Sequence, residues 1–478
     1  MREIARARMT TAAAPRIEAR SLRTLADLPC PRGTLPLIGN LHQLNLGQLH
    51  AQLEGWAEEL GPLYRFAIGP RRMMVVADRA MIDAILRARP DTFSREAGVE
   101  PVFRELRMPG VFSAEGARWR TQRRLMMETL TARNIRAFYP KLRTIVERLH
   151  ARWQRAAAAG TIVDVNSDLK RFAVDVTTWL AFGEDVDTLG GNAHMLQQHL
   201  EQIFPALHRR LNAPVPYWRW FRLPRDRKLD RAIDEVLELL GRLCREARAR
   251  LAADPARAPA NFLEALLVAR DDRGEPFSDD VILGNALQML LAGEDTTATT
   301  ITWAMHHLCG APDAVAALRA EAATLEGLVP PDVAAAGTLS YTGAVLDEAM
   351  RLRPIAPIFF NSSVAATTIG DVAVPAGTSI IALTRVASLA STSFANPTAF
   401  DPGRWLAPPP VHDAAASIPF GSGPRICPGR SLALLEMRVV LAMVYRAFDV
   451  EPLPGEVTEQ YAFTMDPVGF RVRFHERR

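Results

Sequence analysis

One loop, FGSGPRICPG at residues 420–429, constrains this chain more than any other stretch, because glycine and proline dictate its backbone. It contains Cys427, one of only four cysteines. Directly after it, Leu432, Leu435 and Val439 recur at the spacing of one helical face, which predicts a helix. Because glycine and proline bend the chain into an irregular path, we do not expect Cys427 to be ordinary helix filling. The residues alone leave three roles open: a nucleophile, a metal ligand or a small buried apolar side chain.

The composition is typical of a soluble globular protein. The chain has 478 residues, of which 48% are hydrophobic and 23% charged. The net charge of +4 comes almost wholly from arginine, and no dense basic run indicates a nucleic-acid partner. No apolar run approaches the roughly 20 residues that cross a bilayer, so we expect no transmembrane anchor. The four cysteines lack any CxxC spacing, which favours a reducing compartment and predicts a cytoplasmic location.

The N terminus differs from the rest of the chain. Residues 1–30 are rich in arginine and alanine and lack the apolar core of a secretory signal. We expect them to be a disordered tail, with Met9 as the natural start. Residues 31–478 then form a single catalytic domain.

Hydrophobic periodicity indicates the fold class. Helical spacing dominates from about residue 80 to about residue 350. Two strands are predicted at 63–78, short strands at 355–385 and a hairpin at 461–474. The chain is therefore predicted to be mainly α with small β-sheets.

Polar residues interrupt a long apolar helix, LQMLLAGEDTTATTITWAMHHL, at residues 287–308. Threonine hydroxyls can bond back to the preceding turn and bend such a helix. Asp295 beside Thr296 is also an acid next to an alcohol, which a proton relay requires. From this segment alone, a kinked core helix and a functional opening both remain open.

Three further patterns do not indicate a function when each is taken alone. Glu348 and Arg351 lie three residues apart on one helical face, as many surface pairs do. Trp119 and Arg123 lie one turn apart, which suits an aromatic–cation pair facing an anion and equally suits a solvated helix. Arg404 stands in the proline-bounded loop FDPGRW.

Together and in this order, the motifs resemble the haem-thiolate monooxygenases of the cytochrome P450 family, in their soluble bacterial form. The loop at 420–429 matches the family's haem-binding pattern F-x-x-G-x-R-x-C-x-G, and AGEDTT matches its oxygen-binding helix. The similarity runs from about residue 33 to the C terminus. It implies the P450 fold, with haem b (iron protoporphyrin IX) buried between the long distal helix and the cysteine loop. It also implies an NAD(P)H-supported reaction that inserts one atom of O2 into an apolar substrate, by hydroxylation or epoxidation.

The resemblance implies a role for each motif. Cys427 would be the thiolate ligand of the haem iron, which favours O–O cleavage. Asp295 and Thr296 would be catalytic, bringing protons to bound oxygen. The residues expected to hold the haem are Arg425, Trp119, Arg123, Phe420, Gly421, Gly429, Ala292 and Gly293. The residues expected to form a structural network beneath it are Glu348, Arg351 and Arg404.

The resemblance also places a set of nearly all apolar residues near the distal face, so an apolar small-molecule substrate is expected. The expected pocket residues are Phe103, Phe112, Met289, Ala292, Ala356, Ile358 and Phe463. For each of them, ordinary core packing is an open alternative. One position departs from the family, since Asn361 stands where many relatives carry an arginine that reaches a haem propionate.

The chain carries no recognisable flavin or iron–sulfur module, so we expect a monomer that receives electrons from a separate ferredoxin or flavodoxin with its reductase. Arg120, Arg124 and Arg430 would attract such an acidic partner. A peroxide-driven fatty-acid peroxygenase and a non-catalytic haem-thiolate sensor are the alternatives. The intact acid–alcohol pair of AGEDTT favours oxygen reduction over both.

Overall fold

The structure, a computed structural model, describes residues 22–191, 194–213, 215–271, 273–407 and 412–477. The helices are α1 (Leu49–Leu60), α2 (Arg79–Arg87), α3 (Val99–Glu105), α4 (Gly116–Thr129), α5 (Ala132–Ala159), α6 (Val165–Phe182), α7 (His194–Leu200), α8 (Ile203–Asn212), α9 (Pro224–Ala253), α10 (Phe262–Val268), α11 (Asp279–Cys309), α12 (Pro312–Ala323), α13 (Val333–Gly337), α14 (Ser340–Leu352), α15 (Thr384–Ser388) and α16 (Arg430–Ala447). The strands are β1 (Leu63–Ile68), β2 (Arg71–Val76), β3 (Phe93–Arg95), β4 (Val163–Asp164), β5 (Ile358–Ser363), β6 (Thr367–Ile369), β7 (Val372–Val374), β8 (Ser379–Leu383), β9 (Phe448–Pro452), β10 (Thr458–Tyr461), β11 (Met465–Val468) and β12 (Arg471–Glu476). The prediction of a mainly helical chain with small sheets is confirmed.

The largest sheet joins segments that are far apart in the sequence. Its strand order is β1-β2-β8-β5-β3, with β2 and β8 parallel and the other neighbours antiparallel. The two strands predicted at 63–78 are β1 and β2, and those predicted at 355–385 are β5 to β8. The register of the outer pair places Arg95 on β3 opposite Asn361 on β5.

The hairpin predicted near 461–474 is present, but β10 and β11 form it and β12 is not part of it. β11 turns back on β10 around Phe463, which has a φ of +84°. β12 instead pairs with β9 and β4 in a separate sheet. Gly469, with a φ of +94°, lies between β11 and β12 and turns the chain away from β11. Alternating apolar residues mark each strand, but they do not say which neighbour the strand pairs with.

The long helix α11 is the centre of the core. It begins with Asp279 and Asp280, whose charges favour a helix N-terminus, and it is apolar nearly all round, as a buried helix must be. It packs along α6 at very short range. A Cβ built on Gly293 would lie 2.1 Å from Oγ1 of Thr177 on α6. This close approach accounts for the glycine.

Part of the predicted tail contacts the fold. Residues 1–21 lie outside the described residues. The backbone N–H of Arg23 donates to the carbonyl of Asp371 at 2.9 Å, and the carbonyl of Arg23 accepts from Ala373 at 2.8 Å. Leu28 is 2% exposed. The folded unit therefore includes residues before 31. Among the described residues, no helix combines the length and the apolar character needed to cross a membrane.

Candidate active site

Cys427 lies in the loop that joins a short 3-10 turn to α16. Its backbone N–H donates to the carbonyl of Phe420 at 2.9 Å. Burial raises the pKa of the thiol, but hydrogen bonds from the backbone N–H groups of Gly429 and Arg430 and the positive charge of Arg123 oppose that shift. Sulfur is thus held at a helix N-terminus among groups that stabilise a thiolate.

Gly423 shows why this loop needs glycine. Its φ is +71°, and a Cβ there would lie 2.4 Å from the carbonyl oxygen of Leu86 at the end of α2. Gly421 has the same φ, whereas a Cβ on Gly429 would sit 3.8 Å from Sγ of Cys427, an ordinary contact. The loop is therefore wedged against α2, which fixes the position of the cysteine.

Helix α11, which the resemblance places on the other side of the haem, carries a short accessible stripe. Ala292 is exposed and Thr296 is half-buried, although Leu291, Asp295 and Thr297 around them are buried. The hydroxyl of Thr296 donates to the carbonyl of Ala292 at 2.8 Å. An accessible patch inside a buried helix marks an opening. Gly293 is expected to lie against the haem, but packing also explains why this residue is a glycine. A side chain there would collide with Thr177 on α6.

The acid and the alcohol of the expected relay have different neighbours. Thr296 lies on the stripe with Ala292. Oδ1 of Asp295 lies 2.6 Å from Nζ of Lys170 on α6, and Asp295 is 3% exposed. The two residues are adjacent in the chain, but the carboxylate is paired away from the opening.

Arg425 is held from three sides and still has unused donors. Its guanidinium lies 4.6 Å from the centre of the Trp119 ring, and Nη2 contacts Oε2 of Glu115 at 2.5 Å and the carbonyl of Ala114 at 2.9 Å. Buried Nε and Nη1 have no hydrogen-bond partner among the described residues. Arg123 donates from Nη2 to the carbonyl of Ile426 at 2.5 Å, next to the cysteine.

Two further arginines, which the sequence analysis did not identify, surround the same place. Burial and, to a smaller extent, the charge of Arg425 together lower the pKa of Arg89 to about 10. Burial lowers the pKa of Arg95 well below its usual range, and the charges of Arg425 and Arg89 add to this. Glu115 is the carboxylate that offsets them. Three arginines facing one carboxylate leave an excess of buried positive charge, which favours an anion.

These features fit the haem that the sequence predicts. A half-buried sulfur faces N–H donors, α11 opens at Ala292 and Thr296, and Nε of Arg95 has no hydrogen-bond partner among the described residues. Haem carries two propionates, and unpartnered buried guanidinium groups are the donors that carboxylates prefer. Asn361 also leaves Oδ1 buried without a partner among the described residues, directly across from Arg95.

Glu348, Arg351 and Arg404 form one buried network. Arg351 donates to both carboxylate oxygens of Glu348 at 2.8 Å, and Arg404 donates to Oε1 at 3.0 Å. Trp405, which the sequence analysis did not include, donates to Oε2 at 2.9 Å. Burial alone would raise the pKa of Glu348, but the hydrogen bond from Arg351 and those from Asp401 and Trp405 lower it. The network ties α14 to the loop before the cysteine.

Aromatic rings connect most of the elements expected around the pocket. Phe103 and Phe112 stack at 5.2 Å, and Phe112 meets Phe463 at 5.8 Å. Phe204 on α8, which the sequence analysis did not identify, stacks on Phe463 at 5.2 Å. Guanidinium Cζ of Arg95 lies 3.7 Å from the Phe112 ring centre. The four rings therefore join α3, α8 and the β10–β11 turn in one aromatic cluster.

The remaining pocket candidates, Met289, Ala356 and Ile358, lie in different surroundings. Met289 is 8% exposed on α11, and Ala356 is half-buried before β5. Ile358 packs instead in the cluster between the large sheet and α1, because residues of a strand alternate between its faces. Its neighbour Phe359 points to the cysteine loop, where it lies 3.7 Å from the position of a Cβ on Gly421. The pocket assignment of Ile358 is therefore not supported.

Comparison with known proteins agrees with this geometry. The sequence pattern described as Cytochrome P450 matches residues 28–473. The chain is 29% identical to the human mitochondrial 25-hydroxyvitamin D-1 alpha hydroxylase over 460 residues, which cover 91% of this chain and 88% of the relative. It is 28% identical to the mouse protein of the same name, covering 91% and 89%. It is 27% identical to a self-sufficient cytochrome P450 monooxygenase of Penicillium expansum, covering 95% of this chain but 43% of that protein.

The family match extends over nearly the whole chain and includes every motif discussed above, and these relatives are monooxygenases or hydroxylases by name. The chain therefore belongs to the cytochrome P450 family and is a cytochrome P450 monooxygenase.

Proposed function

We propose that this P450 inserts one oxygen atom from O2 into an apolar small molecule, with electrons that separate proteins deliver from NAD(P)H. The observation that carries the proposal is that one chain combines a half-buried sulfur among N–H donors, an opening on α11, and three arginines that share one carboxylate. Haem bound there supplies the redox chemistry of O2 activation, which no side chain provides.

The chain's own residues would hold the haem both at its iron and at its propionates. Cys427 would ligate the iron, and its N–H donors would keep the sulfur anionic. Arg425, Arg123 and Arg95 would bind the propionates, with Trp119 as the aromatic support of Arg425. The close packing of Gly423 against α2 would keep the Cys427 sulfur in a fixed position. The Glu348 network would hold the loop that leads to it.

Thr296 and Asp295 would deliver protons to the site. The Thr296 hydroxyl lies on the open stripe and would become a free hydrogen-bond donor there if it left the carbonyl of Ala292. Asp295 precedes it in the chain and would supply the carboxyl group of the relay. The surrounding apolar rings would exclude water, so that protons arrive only along this route.

The substrate would be apolar and rich in carbon surface. The Phe103, Phe112, Phe463 and Phe204 rings offer flat apolar faces around the space above α11. Such a lining binds through burial of area and orients a ligand by shape rather than by charge. The proposed substrate class is therefore lipophilic, with its reacting carbon directed to Ala292 and Thr296.

Electron donors would dock on the face beside Cys427. Arg120, Arg124 and Arg430 are exposed there, and complementary charge speeds the docking of an acidic ferredoxin or flavodoxin. We further propose a cytoplasmic location, because the four cysteines are free thiols. We also propose that the protein is a monomer.

The test is spectroscopic and then catalytic. The purified protein should contain haem, and its ferrous carbonyl complex should show the band of thiolate ligation, which Cys427→Ser should remove. Lipophilic compounds that shift the haem spectrum would then be incubated with O2, NAD(P)H and a ferredoxin pair. We expect one oxygen atom from labelled O2 in the product and a reduction rate that falls with salt. Product from peroxide alone would indicate a peroxygenase, and no product from either oxidant would indicate a sensor.

A further inference from the structure

A cleft of about 430 Å³ lies outside the proposed active site, between the end of α5 and the start of α6. Residues of these two helices and of the connecting segment 161–164 form its walls. Sites for small organic molecules have volumes from about 300 Å³ upwards, so the cleft is large enough to hold such a ligand. It is lined by none of the residues assigned above to the haem, the substrate pocket or the Glu348 network.

Helical spacing places charged side chains on both sides of this cleft. Arg152 and Arg155 are three residues apart on α5, and Asp168 and Arg171 are three residues apart on α6. Residues so spaced lie on the same face of a helix, and both faces line the cleft. Lys170, the neighbour of Arg171 in the chain, contacts α11 instead. Helix α6 therefore presents Arg171 to the cleft and Lys170 to the core.

A buried carboxylate holds two of the three arginines. Asp168 is 7% exposed. Its Oδ1 lies 2.9 Å from Nε of Arg152 and 3.8 Å from Nη1 of Arg171, and its Oδ2 accepts from the indole N–H of Trp153 at 3.0 Å. Both guanidinium groups are therefore positioned before any ligand arrives, which reduces the side-chain entropy that binding would cost.

The two positioned arginines keep donors for a ligand. Arg152 donates from Nη1 to the carbonyl of Leu189 at 3.2 Å. Arg171 donates from Nε to Oε1 of Gln197 at 2.8 Å. A guanidinium has five N–H donors, so these contacts occupy only part of each group.

The charges that line the cleft do not cancel. Arg155 is exposed and takes no part in the ion pairs of Asp168. Asp164, exposed at the start of α6, is the second carboxylate of the lining. Three arginines thus face two carboxylates, which leaves an excess of one positive charge. Thr161 and Ser167 add hydroxyl groups to the same lining.

We propose that this cleft binds a phosphate monoester with a small apolar organic part. A phosphate monoester has three terminal oxygens and carries up to two negative charges, which suits three guanidinium groups better than a carboxylate with one charge does. Ile162, which is 48% exposed and lines the cleft, offers apolar surface to the organic part. The site is independent of the proposed function, since it involves neither the haem nor the pocket.

The first experiment measures binding of phenyl phosphate to the haem-loaded full chain by titration calorimetry at low ionic strength. We expect phenyl phosphate to bind more tightly than benzoate or inorganic phosphate. Arg155→Met should weaken its binding about fivefold, the upper range for an exposed charge pair. Arg136→Met is the matched control, because Arg136 is exposed on the same helix and does not line the cleft. This control should bind as the wild type does.

A second variant should change the affinity in the opposite direction. The carboxylate of Asp164 accepts from the backbone N–H of Ser167 at 3.0 Å and so caps α6. Asparagine caps a helix about as well as aspartate, so Asp164→Asn removes the negative charge and keeps the cap. We expect phenyl phosphate to bind about threefold more tightly to this variant, with an unchanged unfolding temperature. A merely structural role of these residues would not produce opposite changes in affinity.

A lipid headgroup can present the same phosphate, so sedimentation with vesicles of phosphatidic acid and of phosphatidylcholine distinguishes the two sources. Sedimentation with phosphatidic acid alone that Arg155→Met abolishes would support the site with a lipid as its ligand. Binding of phenyl phosphate without sedimentation would support a free ligand. The proposal is overturned if the wild type binds neither, if benzoate binds as tightly as phenyl phosphate, or if Arg155→Met retains the wild-type affinity. Failure of the proposed function would appear in product formation and would leave these affinities unchanged.

Discussion

Arg95 and Asn361 are Cα partners across the β3–β5 pair. Side chains of directly opposed residues lie on the same face of a sheet. The Arg95 guanidinium therefore belongs to the strand next to β5, opposite the position at which the family resemblance led us to expect an arginine. It has a buried Nε without a hydrogen-bond partner among the described residues. We interpret this as a shift of the propionate-binding charge from β5 to β3.

Arg95→Met should weaken haem binding. A hydrogen bond to a charged group contributes about 1.5–3 kcal/mol, so haem should dissociate about 10 to 100 times faster. Haem transfer to an acceptor globin measures this rate. Adding Asn361→Arg should recover part of the loss, because the new guanidinium would reach the same space from β5. Arg72→Met, an exposed change on β2, is the control. An unchanged rate in Arg95→Met would contradict the assignment.

Glu348→Gln should destabilise the folded protein strongly. It leaves Arg351 and Arg404 buried without their carboxylate, which costs about 3–5 kcal/mol of unfolding free energy. Because the pKa of Glu348 is lowered in the fold, its contribution is present above about pH 4.3 and is lost as the pH falls through the folded pKa. Urea unfolding of wild type and variant should therefore differ near neutral pH and converge in acid.

The control for this change is Glu100→Gln. Glu100 pairs with exposed Arg104 and Arg118, and exposed pairs contribute about 0–1 kcal/mol. Equal losses in the two variants would mean that the Glu348 network does not stabilise the fold as a buried network should.

Gly423→Ala should displace the cysteine loop. The new Cβ would meet the carbonyl of Leu86 at 2.4 Å, and the residue would also be strained at a φ of +71°. Gly377→Ala isolates the first effect, because its φ is +75° and no atom lies within 4 Å of its Cβ position. We expect about 1–2 kcal/mol of strain in both variants and a further loss of about 1–3 kcal/mol in Gly423→Ala alone. Thermal unfolding would measure the loss of stability, and the ferrous carbonyl spectrum would show whether the cysteine is displaced. Equal results for the two variants would mean that the contact with Leu86 does not require a glycine at 423.

Glu436→Gln should change the pH dependence of stability. Burial raises the pKa of Glu436 on α16 to about 8. The contribution of the protonated acid is therefore present below the unfolded value of about 4.3 and is lost as the pH rises to about 8. We expect the variant to lose less stability than the wild type over this range, by on the order of a few kcal/mol. Glu128→Gln, an exposed change on α4, should leave the slope as it is, and parallel slopes for all three proteins would argue against a neutral buried Glu436.

Much of the site could be predicted from local pattern. The loop around Cys427 and the AGEDTT helix are contiguous, and their glycine, proline and threonine content constrains the backbone within a few residues. Helical periodicity likewise indicated α11 and α14 without knowledge of their neighbours. The pairing of Glu348 with Arg404 across 56 positions came only from resemblance to the family.

The parts that were missed depend on contacts between distant segments. β3 is three residues long and has no periodic signal, so neither the strand nor the position of Arg95 opposite Asn361 could be predicted. Ile358 and Phe359 are both apolar, and only packing showed that the first turns to α1 and the second to the cysteine loop.

The sequence by itself determined the cysteine loop, the helical class and the family, because short-range backbone preferences and contiguous motifs are sufficient for these. Tertiary structure alone decided which polar residues become neighbours: it pairs Lys170 with Asp295, sets Arg95 opposite Asn361, and brings Trp405 to Glu348. The reason is that a buried charge takes its partner from whatever segment the fold brings within a few ångströms, and spacing along the chain carries no record of that approach.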